Sequence, residues 1–558
     1  MKKIWQYLLI PAVILAVYIL PLGSRPLITP DETRYAEIPR EMIVSGNYIS
    51  PHLNGVRYFE KTPFSYWAFA VSFKLFGMNR FALRLPCMLA MLATAWIICL
   101  LTGHYYDDRR TGLLAAAVFA SMPFVYLLAG TAITDMILTL FVTAATVTFF
   151  LAAQDGTPMK KKIGLLILCG VSCGLAFLTK GFLAFAVPAV TLAPYLIWDK
   201  KWKKLFTLPW IPLFAMLVTV APWCIAIHLQ EPDFWHYFFF VEHVNRFFGQ
   251  EKAQHAKSFF YFIPVMAIAV AVWIPMLPDL GRVWYRKTAG SPLLKFCICW
   301  LAVPFLLFSC SSGKLATYIL PCMPPMAVLI ASGLQQVFVE ERRNKAFEWT
   351  LRILAAVLVL AVVGSAANLL TGRPEVFFMK EDWRQMVLLG AGIVLSFIGI
   401  GLTWKAADRW GKLFLLIVSL FPLLIVTNFI CPAAMREWKT PSEFLAEVRP
   451  HLPKKNVIYI NHKRIFQDVC LVFRTTDVKM LMSRNEIAYG LSYPEEKDRY
   501  IPDFDALEAL YWEQKKKKGH LVVVTPTETL KYFRKVLPEP VWIRKTQPDL
   551  DGYAVILY

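Results

Sequence analysis

Charge is scarce in this chain, and acid is scarcer than base. Only 18% of its 558 residues are charged against 57% hydrophobic, and 39 acidic side chains face 59 basic ones. A soluble fold with that balance would leave much of its apolar area in water, so a soluble enzyme is excluded. The eleven cysteines form no CxxC pair and mostly fall inside apolar runs, which excludes a disulfide scaffold and finger-type structural zinc. No internal repeat sets polar residues at mid-membrane, as a transporter would require. No motif of a nucleic-acid binder is present. No small-x-small cleavage site follows the first apolar run, which reads as an uncleaved signal anchor.

What is present is a succession of apolar runs long enough to cross about 30 Å of hydrocarbon. Hydropathy places them near 4–22, 82–102, 111–129, 134–153, 163–179, 182–198, 205–228, 259–277, 292–310, 317–336, 348–371, 384–404 and 411–431, about thirteen spans. The expected fold is an all-α multi-span membrane bundle over 1–431, with an α/β domain over 432–558. With Lys2 and Lys3 in the cytoplasm, the short loops on that side hold Arg109/Arg110, Lys160–Lys162, Lys200–Lys204, Arg282–Lys287, Arg342–Lys345 and Lys405–Lys412. The opposite loops carry little Lys or Arg beyond Lys180, Lys314, Arg373 and Lys380. This is the positive-inside pattern, and it accounts for much of the net charge of +20. An odd number of spans then puts the loops 23–81 and 229–258 and the tail on the outer face. The tail has β-like runs at 456–460, 469–473, 521–525 and 553–558, with helical stretches at 441–448 and 504–514. Its run Lys515–Lys518 reads as a solvated face or a headgroup contact.

The unusual polar residues converge on that outer side. Thr29 to Met42 packs Asp31, Glu32, Arg34, Tyr35, Glu37, Arg40 and Glu41 directly after the first span. Asp31 and Glu32 also suit the first turn of a helix that Thr29 could cap. Glu60 and Lys61 precede an aromatic segment (Phe64, Tyr66, Trp67, Phe69, Phe73, Phe76) that fits an interfacial helix; they would equally serve as a surface ion pair. Asp135 stands at the mouth of an apolar span, where an acid is expensive without a task or a capping role. Lys180 is a lone cation between spans that could snorkel to the interface. Lys314 and Tyr318, four apart, are expected to share a helix face. His236 and His243 are seven apart, again one helix face, and Glu242 and Arg246 form an i,i+4 pair. The His spacing is not HExxH, and a divalent ion on Glu60 or His243 is left open beside a structural or substrate role. Carboxylates beside cations suit a donor with a phosphate leaving group.

In PDETRYAEIPREM (30–42), RYFEKTP (57–63), LTKGFLA (178–184), EPDFWHYFFFVEHVNRF (231–247), SGKLATYIL (312–320) and YGLSYPEEKDRY (489–500), the chain resembles the GT-C class of membrane glycosyltransferases. The resemblance is strongest to the family that places 4-amino-4-deoxy-L-arabinose on lipid A, and it runs essentially end to end. It departs at Thr62, where a proline is expected after the lysine, and at Ala316, where a proline is expected after Lys-Leu. The resemblance implies an inner-membrane pentosyltransferase with its site and tail on the periplasmic side, working as a monomer. The donor would be undecaprenyl phosphate-linked aminoarabinose and the acceptor a lipid A phosphate, giving polymyxin and cationic-peptide resistance. It casts Asp31, Glu60 and Asp135 as active-site acids, Lys61 and Tyr318 as donor-phosphate contacts, and Arg34 and Tyr35 as part of a loop that orders around substrate. Arg246, Lys180 and Lys314 are the further substrate-binding cations. A related polyprenyl-phosphate-sugar transferase acting on protein or another glycan is the alternative.

Overall fold

The computed structural model describes residues 2–245, 256–342, 344–371, 382–431, 436, 438–546 and 552–558. Two compact units emerge. One holds residues 1–22, 84–370 and 387–429; the other holds 23–83, 371–386 and 430–558. The first loop therefore folds with the tail, although the sequence reading grouped it with the spans.

The first unit is helical. Among the described residues, nine helices are long and apolar enough to cross a membrane, or eleven if each of two bent pairs is one span. Hydropathy read thirteen; helices of that length and apolarity among the described residues account for nine to eleven. The run at 182–198 folds as Leu183–Trp198, only 16 residues long. The run at 111–129 breaks into Arg109–Ser121 and Pro123–Ala129, bent by 71°. The cause is local: Pro123 offers no N–H and drives Met122 into the extended region (φ −66°, ψ 122°). The run starting at 259 breaks by 86° between Ala269 and Ala271. The first helix, α1 (Lys2–Ile19), is 18 residues long; the side chains of residues 1–10 lie outside those described.

Close helix contact in this unit has a sequence cause. Gly170 and Gly174 stand four apart on the helix Met159–Lys180, facing Trp210–Gln230. A Cβ at Gly170 would come within 2.2 Å of the Pro212 carbonyl oxygen, and one at Gly174 within 2.7 Å of Thr219 Cβ. Small residues at this spacing let two helix backbones approach in a membrane setting. The contact fixes the helix that ends in Lys180.

In the second unit, α2 (Asp31–Ser45) leads to a short hairpin, β1 (His52–Leu53) and β2 (Val56–Arg57), and then to α3 (Phe64–Phe76). The hairpin turns on Asn54-Gly55, both at positive φ (58° and 73°), the dipeptide that two-residue hairpin loops favour. Glu41 clamps it, its carboxylate accepting from the backbone N–H of Asn54 (2.7 Å) and Gly55 (3.0 Å). A Cβ at Gly55 would meet the Thr476 carbonyl oxygen at 2.5 Å, so glycine is required there. Asn54 also bonds both backbone groups of Val478, at 2.8 Å each, and so extends the tail sheet's edge into the loop.

The tail forms one six-stranded sheet. Its strands are β3 (Val457–His462), β4 (Val478–Leu481), β5 (Tyr500–Ile501), β6 (His520–Pro526), β7 (Trp542–Lys545) and β8 (Tyr553–Leu557), in the order β5-β4-β3-β6-β8-β7. β3 pairs in parallel with β4 and β6, and β8 runs antiparallel to β6 and β7. The expected helices appear as Pro441–Val448 and Phe504–Lys516. The expected strand at 469–473 is a correction: Phe466–Phe473 is a helix. Its buried Phe466, Val469, Cys470 and Phe473 recur at i, i+3, i+4 and i+7, a helical period that outweighs the β-prone composition. Strands β4, β5 and β7 were not read from the sequence.

Candidate active site

The residues singled out from sequence fall into two clusters, one in each unit. In the second unit α2 begins at Asp31, with Pro30 at the N-cap and no side-chain cap. Thr29 does not cap; its hydroxyl donates to Asp468 instead, at 2.8 Å to each carboxylate oxygen. Asp31 stays open to solvent with a side-chain exposure of 60%, while the Arg34 side chain, one turn on, is 13% exposed. The Arg34 guanidinium lies 3.3 Å from Asp31 Oδ1 and 3.1 Å from Glu486 Oε2, and donates to the Tyr58 hydroxyl at 3.3 Å. Tyr58 in turn donates to Glu60 Oε2 at 2.9 Å. One chain of contacts thus joins Asp31, Arg34, Tyr58 and Glu60, with Glu486 contributed by the tail.

Burial alone would lower the Arg34 pKa, but Tyr58, Glu486, Tyr35 and Glu60 around it hold it well above the ordinary arginine range. Burial raises the Tyr58 phenol well above its usual value despite Arg34, so it stays a donor toward Glu60. Burial also raises Glu486, against the pull of Arg34. The Tyr35 ring lies under the Arg34 guanidinium, 5.9 Å from it, and also 5.9 Å from the Tyr66 ring and 6.2 Å from Phe69. Lys61 folds back onto the Glu60 carbonyl at 2.9 Å. The buried hydroxyl of Tyr66 and Nε of Arg34 have no hydrogen-bond partner among the described residues.

In the first unit, Asp135 lies in the first turn of Thr134–Ala152, whose N-cap is Ile133 without side-chain help. The capping alternative fails: the Asp135 carboxylate is held by Lys180 Nζ at 2.7 Å. Lys180 ends the helix Met159–Lys180, where a cation suits the helix dipole, and it sits 5.2 Å from the Tyr318 ring centroid. Asp135, Lys180 and Tyr318, from three separate helices, therefore meet. Lys314 does not join them. It is buried and donates to the Lys257 carbonyl at 3.1 Å and to the Ser311 carbonyl. The expectation that Lys314 and Tyr318 share a helix face is corrected: a 3-10 helix starts only at Ala316, after an extended Leu315.

The stretch after Phe234–His236 is a π-helix, Tyr237–Asn245, so the α-helical face argued for His236 and His243 does not carry over. Arg246 and the side chain of His243 lie outside the described residues. Among the described residues, no group of three His, Cys, Asp or Glu side chains could hold a metal ion.

Sequence reasoning missed Tyr58 and Glu486. Tyr58 had a signal, since period-two alternation in an extended segment puts it on the same side as Glu60. Glu486 had none, lying 426 positions beyond Glu60.

The cluster around Arg34 presents an exposed carboxylate, which can hold a cationic group, beside a guanidinium that can meet an anion. The Asp135–Lys180 pair can present a cation beside an aromatic face.

Comparison with known proteins adds the family dimension. Residues 3–238 match the family model described as dolichyl-phosphate-mannose-protein mannosyltransferase. Residues 436–549 match the model described as the C-terminal domain of arabinosyl transferase ArnT. The undecaprenyl phosphate-alpha-4-amino-4-deoxy-L-arabinose arabinosyl transferase of Erwinia tasmaniensis is 36% identical over 513 residues, covering 89% of this chain and 90% of that protein. A second transferase of that name, from Sodalis glossinidius, is 36% identical over 535 residues, 94% of each. The crystal structure of ArnT from Cupriavidus metallidurans bound to undecaprenyl phosphate shares the fold, with a TM-score of 0.84, 21% identity, and coverage of 99% of this chain and 98% of that one.

Proposed function

The chain belongs to the undecaprenyl phosphate-alpha-4-amino-4-deoxy-L-arabinose arabinosyl transferases, and from that premise we propose that it moves 4-amino-4-deoxy-L-arabinose from undecaprenyl phosphate to a phosphate of lipid A on the periplasmic face of the bacterial inner membrane. The observation that carries this reading is the pairing of end-to-end similarity, tail included, with an exposed Asp31 carboxylate fixed beside a largely covered, permanently charged Arg34.

The step breaks the bond between the sugar's anomeric carbon and the undecaprenyl phosphate oxygen, and that oxygen keeps the electron pair. A lipid A phosphate oxygen forms the new bond in a single displacement, inverting the anomeric centre. The acceptor oxygen is already largely ionised near neutral pH, since a phosphate monoester has its second pKa at about 6. No difficult proton has to be removed, so strong general-base help is unnecessary. Asp31 then orients the acceptor or binds the cationic 4-amino group. Glu60, tied to Arg34 through Tyr58, sets the position of that guanidinium. Lys61, Lys180 and Tyr318 stabilise the leaving phosphate as its charge develops. Cationic charge on the product surface lowers its attraction for polymyxin and other cationic peptides.

The mannosyltransferase model over 3–238 supports a second reading, transfer to a protein hydroxyl, in which Asp31 would be a true base. Purified chain given labelled donor with either lipid A or a Ser/Thr peptide separates the two. Label on lipid A alone supports the proposal, and label on the peptide alone overturns it.

A further inference from the structure

Within the second unit lies a cavity of about 520 Å³ whose wall is mostly apolar, including Leu27, Phe73 and Phe81, yet holds three guanidinium groups, those of Arg40, Arg80 and Arg474. Its volume is in the range of small-molecule and cofactor sites. None of the proposed donor contacts lines it.

The three cations differ in how they are held. Glu37 grips Arg40 through two charge-assisted bonds, at 2.7 and 2.5 Å. Arg80 is ion-paired with Glu443. Arg474 is exposed and has no partner among the described residues. It also stands in the left-handed region (φ 56°, ψ 44°) as the C-cap of Phe466–Phe473, a conformation at which glycine or asparagine is the ordinary choice. Glu37 and Glu41 face Arg40 and Glu443 holds Arg80, which leaves Arg474 as the cation in the cavity wall with no ion pair among the described residues.

Position in the chain says what such a cavity faces. Arg80, Phe81 and Leu83 form the start of α4 (Arg80–Tyr106), a helix long and apolar enough to span a membrane. The end of a span lies at headgroup depth, where Arg commonly meets lipid phosphate. Just before it, Leu75, Phe76 and Met78 expose apolar side chains at 70%, 53% and 48%. Apolar walls beside a guanidinium that no described acid pairs suit a molecule with both an anionic phosphate and hydrocarbon. A free phosphate ion would gain nothing from the walls, and a neutral lipid nothing from Arg474.

We propose that this cavity is an accessory site for an anionic diacyl phospholipid, its phosphate on Arg474 and Arg80 and its upper acyl chain against Leu27, Phe73 and Phe81. The site is separate from the donor contacts at Lys61 and Tyr318. Lipid identity would then tune how the first loop and the tail are held together.

Native mass spectrometry of the purified full chain, titrated with phosphatidylglycerol, phosphatidylcholine or inorganic phosphate, tests this. One phosphatidylglycerol should be retained at least tenfold better than phosphatidylcholine, and inorganic phosphate should not displace it. The Arg474→Glu substitution should cut that retention at least tenfold. Should Arg474→Glu fail to fold, Arg474→Gln should still reduce it severalfold with an unchanged melting curve. Lys61→Ala should keep the lipid. Equal retention of both lipids, displacement by inorganic phosphate, or unchanged binding in a folded Arg474 variant would each overturn the proposal. Loss of the lipid in Lys61→Ala would overturn the separateness of the site.

Discussion

Asp468 is fully buried, and no cation among the described residues is ion-paired with it. Its carboxylate accepts hydroxyls from Thr29 (2.8 Å), Thr33 (3.3 Å) and Ser442 (2.5 Å), so it ties the start of the first loop to the tail. Burial pushes its pKa up to about 6, and the three hydroxyl bonds only partly offset that. An unfolded aspartate titrates near 3.9, so the difference of about two units corresponds to about 3 kcal/mol. The sign follows from the folded state holding the proton more tightly. The stability this group contributes is fully present below about pH 4 and is lost as pH rises through about 6. The substitution Asp468→Asn keeps the shape and removes the charge. It should therefore flatten the pH dependence of local opening between pH 4 and 7 by up to about 3 kcal/mol. The alanine variant should instead destabilise at every pH by about 1–3 kcal/mol for each stranded hydroxyl. Cys470, buried two residues along the same helix, supplies the probe. In a full-length protein with Cys470 as its one cysteine, thiol-labelling rates measured against a free thiol at each pH report opening of this region. An Asp468→Asn protein with the same pH slope as the parent would refute the reasoning.

Other outcomes are expected. Asp31→Asn should lower turnover at least about tenfold, while the shape of the pH–rate profile stays that of the parent; loss of an acidic limb would mean that Asp31 acts as a general base. Removing one partner of the Asp135–Lys180 pair, as Asp135→Asn or Lys180→Met, should cost about 3–5 kcal/mol and be visible as a lower melting temperature. If Lys180 also neutralises the leaving phosphate, the charge-swapped double variant should recover stability but not turnover. Glu486→Gln should raise the KM for acceptor more than it lowers kcat, because it loosens Arg34 without removing a transferring group. Gly170→Ala should destabilise the helix pair by about 1–3 kcal/mol, since its Cβ would press on the Pro212 backbone.

The sequence made some of this legible and hid the rest, for physical reasons. Hydropathy reads length and composition, so long apolar helices were found. It cannot see a proline bend such as Met122–Pro123 or a helix of only 16 residues such as Leu183–Trp198, which is where its thirteen runs and the nine to eleven long apolar helices among the described residues part. Asp135 and Lys180 stood out because charges are costly where they lie. Their pairing did not, because contacts 45 residues apart leave no local pattern. The expected helical face of Lys314 and Tyr318 failed because backbone carbonyls hold Lys314 before the helix begins. Asp468 was hidden inside a segment whose Val-Cys-Leu-Val-Phe composition suggested a strand. The Asn54-Gly55 turn was legible and went unread.

The most direct test of the central claim is mass spectrometry of lipid A from cells that lack their own aminoarabinose transferase but make the donor. With this chain supplied, lipid A should gain one aminopentose per modified phosphate, and with Asp31→Asn that gain should fall at least about tenfold. Unmodified lipid A in cells that contain the folded chain and the donor would contradict the account.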